Sequence, residues 1–148
     1  MSLVCTPHKL RGYLEAYGWK YDCIGEFSIV TGWQGDSREY PLMVTMNNTV
    51  IDFIVNPLIY FELEWQEWPE ILCFIMELNE DMSLAKLSIN DSGAIVLTAS
   101  ALSLNFGYAQ LSQYLEILGH YSDVIYQELL VKLQECGLLF HHRSKFLT

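Results

Sequence analysis

The residues best suited to chemistry are an acidic run, Glu62, Glu64, Glu67 and Glu70, and two histidine groups, His120 with Asp123 and His141 with His142. Carboxylates at this density can share a proton for general acid/base work or hold a divalent cation. The run lacks the glycine of a calcium loop, and Trp65 and Trp68 crowd it. Helix-start electrostatics on a solvated face is therefore the favoured reading. His120 and Asp123 stand three apart, which makes them neighbours on a helix. With no partnered nucleophile in view, they read as surface or interface hydrogen bonding rather than as a catalytic dyad. His141 and His142 are adjacent, and adjacent side chains rarely aim at one ion, so they read as part of a solvated tail. Cys5, Cys23, Cys73 and Cys136 are scattered, without CxxC or CxxH spacing, which points to free thiols in a reducing compartment.

The chain has no GxSxG, no Walker-type glycine-lysine loop, no GxGxxG and no HExxH. No catalytic, cofactor-binding or metal-ligating residue is assigned, and no cofactor is expected. A small acidic enzyme using the Glu62 to Glu70 carboxylates or His120 is the alternative, and a purely structural subunit is a third reading.

The elements that would position these groups fit one domain over residues 1–148, with 138–148 read as a tail. Apolar residues make up 51% and aromatics 14%, more apolar surface than one small core needs, so a homo-oligomer is expected. The formal net charge of -10 repels phosphate backbones and anionic membrane surfaces. Lys and Arg are scattered rather than clustered, which argues against nucleic acid as a partner. No apolar run approaches the roughly 18 residues that span a bilayer, and no signal-like start is present, so the reading is a soluble, cytoplasmic protein.

Thr6 and Pro7 open a helix in which Leu10, Tyr13, Leu14 and Tyr17 share one face and Gly18 ends the pattern. Alternation predicts strands at Ile24 to Trp33, Tyr40 to Met46 and Val50 to Val55, a three-stranded antiparallel meander. Pro41 cannot donate to a ladder, so the second of these is an edge or begins after the proline. Leu58 to Glu64 is an ambiguous connector. The stretch Trp65 to Asn79 is the central helix, with Pro69 in its first turn. One of its stripes is Ile71, Ile75 and Leu78, and a second is Leu72 and Met76. Leu84 to Ile89 and Ala94 to Ala99 form a hairpin through Asn90-Asp91-Ser92-Gly93. From Gly107 to Cys136 a long helix tracks Leu111, Leu115, Leu118, Ser122, Ile125, Leu129 and Leu133 on one face, with Gly119 as a candidate kink. The fold class is therefore α+β, an antiparallel sheet with helices in the order α-β-β-β-α-β-β-α.

This order resembles the type III secretion chaperone-like superfamily. Glu77-Leu78-Asn79, Ala85-Lys86-Leu87-Ser88-Ile89, Asp91-Ser92-Gly93 and Ser122-Asp123-Val124-Ile125-Tyr126 resemble its YbjN-like branch, from about Leu10 to Leu133. The resemblance implies a small non-enzymatic domain, commonly dimeric, that binds polypeptide or acts in regulation or assembly. On this footing the chain reads as a chaperone-like protein-binding module that works as a homodimer with a protein or peptide partner. The expected contact residues are Trp65, Trp68, Leu72 and Met76 on the central helix, and Tyr40, Leu42 and Val44 on an exposed strand edge.

Overall fold

The computed structural model describes residues 3–60, 62 and 66–136. It begins with α1, Pro7–Tyr17, where the Thr6 side chain accepts the Lys9 N–H at 3.2 Å and Pro7 occupies the first turn. Leu10 and Leu14 are its buried face, and Gly18, at φ 94°, ends it. Four strands follow: β1 (Asp22–Gly25), β2 (Ser28–Gln34), β3 (Glu39–Met46) and β4 (Val50–Tyr60). Next come α2 (Trp68–Asp81), the hairpin of β5 (Ala85–Ile89) and β6 (Ala94–Leu102), and α3 (Tyr108–Glu135).

The strands make one antiparallel sheet in the order β1-β2-β3-β4-β6-β5. Cross-strand partners share a face. Ile29, Val44, Phe53, Ala99 and Ala85 form one row of the inner face, and Leu42, Val55, Leu97 and Leu87 form the next. All nine are buried in a single core with the apolar stripes of the three helices. The opposite rows, Val30, Met43, Ile54 and Thr98 with Thr45, Asp52 and Ser100, stay outside that core.

The helical stripes are those the spacing predicts. Ile71, Ile75 and Leu78 are the buried residues of α2, and all seven expected positions of α3 are buried. Each fully buried leucine or isoleucine contributes about 1.5–3 kcal/mol over an exposed one. A 14-residue helix such as α2 owes its existence to that contact, because isolated helices of this length are marginal. α3 runs through Gly119 without interruption; a Cβ there would stand 3.9 Å from the Trp33 indole nitrogen, an ordinary contact.

Three expectations are corrected. Ile24 to Trp33 is two strands, because the chain reverses at Glu26 and Phe27, where Gly25 pairs with Ser28. Phe27 is accordingly exposed rather than inward-facing. The connector after Val55 continues β4 to Tyr60, with a register shift between Val55 and Ile59. Finally, β3 is an interior strand, paired with β2 on one side and β4 on the other. The β3–β4 ladder starts at Leu42 opposite Val55, so Pro41 lies beyond it and its missing N–H is not required there.

The free margin of β5 is closed by a side chain. Asn79, near the end of α2, donates to the Leu87 carbonyl at 3.0 Å and accepts the Leu87 N–H at 2.6 Å, acting as a one-residue strand partner. Asn79→Ala removes both bonds and leaves peptide groups of a buried residue unpaired. We expect a loss of about 1–3 kcal/mol, read as a lower guanidinium midpoint with an unchanged slope.

Candidate protein-binding surfaces

With one stripe sealed against the sheet, α2 turns its second stripe to solvent: Leu72 is 44% and Met76 70% exposed. They stand one turn apart with the exposed Cys73 beside Leu72. Trp68 is half-buried and packs against the core, so it flanks the stripe rather than extending it. Trp65 and Glu64 lie outside the described residues.

Beside this stripe, a groove of about 470 Å³ separates α2 from α3. Phe74, Leu78 and Val131 line it together with Glu77, Asp81, Glu128 and Glu135. Lys132 crosses to α2, its Nζ 3.0 Å from Glu70 Oε1 and 5.6 Å from the Phe74 ring centre. That hydrogen bond holds the Glu70 carboxyl below its usual range, with the Cys136 thiol as a second contributor. Burial raises the Cys136 thiol, and Glu70 adds to the rise.

Of the acidic run, Glu62 is exposed, Glu67 stands at the N-cap of α2, and Glu70 is committed to Lys132. Among the described residues no three His, Cys, Asp or Glu side chains are grouped to hold a metal ion. His120 is exposed against the Tyr121 ring. Asp123 faces elsewhere: its Oδ1 accepts the Asp36 N–H at 2.9 Å. The tail histidines, His141 and His142, lie outside the described residues.

Tyr40, Leu42 and Val44 form no exposed edge. Each is 1% exposed, on the inner face of an interior strand. They are core because β3 alternates with Pro41, Met43 and Thr45 turned outward, and α3 covers the inward set. Tyr40 also anchors the β2–β3 hairpin. Its hydroxyl donates to the Ser122 carbonyl at 3.2 Å, and its ring lies under the Arg38 guanidinium, 5.4 Å from ring centre to Cζ. Arg38 in turn donates to the Leu58 carbonyl and reaches the Tyr126 ring. The hairpin tip is tied down a second time by Gln127 donating to the Ser37 hydroxyl. Gly35 is required by this closeness, since a Cβ there would lie 2.3 Å from the Tyr40 ring and 2.5 Å from Asp123 Oδ1. The sequence marks Gly35 only as a turn residue; the neighbouring Asp36–Asp123 hydrogen bond spans 87 positions and leaves no local signal.

No family model matches the chain, and no curated protein does. Among solved structures the chain is similar to YbjN from E. coli, described as a proposed transcription regulator, with a TM-score of 0.63 and 15% identity. The match covers 89% of this chain and 97% of that one. The two share a fold. At this identity the likeness establishes the α+β architecture alone.

Burial raises the Tyr40 phenol well above the ordinary tyrosine range, and the Asp123 carboxylate adds to this while Arg38 opposes it. A group that holds its proton more tightly when folded contributes stability fully below its unfolded value of about 10, and loses it as pH climbs toward the folded value. Stability should therefore decline above about pH 10. Tyr40→Phe should make that decline shallower and cost about 1 kcal/mol at neutral pH for the lost hydrogen bond. Denaturant titrations of both proteins at pH 7 and in the alkaline range check this.

Proposed function

We propose that the protein is a non-enzymatic, YbjN-like protein-binding module of the type III secretion chaperone-like kind, acting as a homodimer in regulation or assembly. The observation that carries the reading is the outward stripe of α2. Leu72 and Met76 present apolar surface on a rigid helix whose other face is anchored in the core. A second copy is the partner this stripe suits, because an isologous contact needs only one such patch and buries it on both chains. The acidic α2–α3 groove beside it supplies a polar rim.

The likeness to a proposed transcription regulator supports a regulatory role exerted through protein contacts. A net charge of -10 disfavours contact with the DNA backbone itself. No helix of the described residues is long and apolar enough to cross a membrane. The four free cysteines, two of them exposed, suit a reducing compartment, and we place the protein in the cytoplasm on that ground.

Leu72→Asp tests the reading. The variant should keep its fold, judged by circular dichroism and melting, while light scattering shows the mass falling from two chains to one. A variant that unfolds, or that stays dimeric, would remove α2 as the interface; a monomeric wild type at high concentration would remove the dimer altogether.

A further inference from the structure

The margin of the sheet at β1 and β2 offers something the β5 margin does not. Hydrogen bonds from the Gly35 N–H to the Arg38 carbonyl and from the Met46 N–H to the Phe27 carbonyl fix the register of β2 with β3. In that register the odd-numbered residues of β2 bond to β3, and the even-numbered ones aim their peptide groups the other way. β1 takes up Ser28 and Val30, and beyond it the chain is tied to β2, among the described residues, only through a side chain, the Thr31 hydroxyl donating to the Lys20 carbonyl at 2.6 Å. Gly32 and Gln34 follow in the same outward series, are exposed, and have no backbone partner on that side among the described residues.

Two grooves, of about 890 and 570 Å³, meet at Thr31 and Gly32 along this margin. Trp19, Tyr21 and Glu15 line the first, where the Tyr21 hydroxyl donates to Glu15 at 2.6 Å. Trp33 and Glu39 line the second, and the Trp33 ring stacks on Trp19 at 5.6 Å. With Asp22, three carboxylates face Lys20 as the single cation of the two linings.

We infer that the open edge of β2 at Gly32 and Gln34 accepts an extended peptide as an added strand, and that the peptide carries lysine or arginine. The inference deepens the protein-binding reading above and rests on it. Peptide groups supply the pairing, as in other cases of strand addition. The flat aromatic walls and carboxylates then select long cationic side chains, whose stems pack on rings while their charges reach Glu15, Asp22 and Glu39. Gly32 is required by the sheet itself, since a Cβ there would lie 2.7 Å from the Tyr40 carbonyl oxygen of β3.

The probe is a fluorescein-tagged octapeptide alternating valine with lysine, followed by anisotropy at 0.15 M salt. Saturable binding is expected, together with a change in tryptophan emission from Trp19 and Trp33. A peptide of equal charge with proline in place of valine should not bind, nor should one with glutamate in place of lysine. Gln34→Pro removes an outward N–H that serves no ladder bond, and should weaken binding at least tenfold with an unchanged far-ultraviolet spectrum. A valine-lysine peptide N-methylated at alternate residues should fail in the same way on the unaltered protein, which keeps the test decisive if Gln34→Pro does not fold. Absence of saturable binding, equal binding of the proline peptide, or undiminished binding by Gln34→Pro with the N-methylated peptide also binding would each overturn the inference. Light scattering of the same samples separates the two proposals. A dimer that persists without binding the peptide sinks this one alone, whereas a monomeric wild type that binds it sinks only the dimer. Loss of the dimer in Gln34→Pro would assign the edge to a second copy and overturn the peptide.

Discussion

The contact on which the fold depends is that between the inner face of the sheet and the long stripe of α3. Six buried apolar positions of α3, from Leu111 to Leu133, lie in one core with β2, β3, β4, β5 and β6, and Ser122 is buried among them. Because the three helices contribute their apolar stripes to that one core, one face of the sheet lies in it and the other lies outside it among the described residues. The outer face mixes Thr45, Asp52, Thr98 and Ser100 with its apolar residues.

This one-sidedness also explains why the surfaces proposed for partners lie at the margins. A helix at the border of the sheet, as α2 is against β5, can bury only the stripe that reaches the core. Its flank, with Leu72 and Met76, is left over. At the opposite border β1 is shorter than β2, and the uncovered length of β2 is flanked by aromatic rings that belong neither wholly to the core nor to the solvent.

Much of this was legible in the sequence where the signal is local. The period of Ile71, Ile75 and Leu78, the seven positions of α3, the Thr6 cap and the turn around Asn90 all depend on neighbours within a few residues. The misreadings share the opposite property. Whether Pro41 marks an edge depends on where the β4 ladder begins, which is a fact about Val55. The reversal at Glu26 and Phe27 has no Asn-Gly type signal, so a run of strand-forming residues hid it. Asn79 looked like a helix terminator and is a strand partner. Tyr40 and Val44 were read correctly as strand residues and misplaced in the sheet, which moved them from a candidate edge to the core. Trp65, the first residue of the predicted central helix, lies outside the described residues.

The tie between the β2–β3 hairpin and α3 carries a consequence for how the chain is made. Tyr40 and Ser122 are 82 positions apart, and Asp36 and Asp123 are 87 apart. A ribosome adding about 5–20 residues each second delivers the sheet-forming residues well before the helix that shields them. For several seconds the nascent chain holds apolar strands whose cover does not yet exist. Contacts of such long range also slow folding once synthesis is complete. Such a chain is most open to aggregation or capture just before α3 emerges, and the hairpin clamp can close only once Ser122 and Asp123 have left the ribosome.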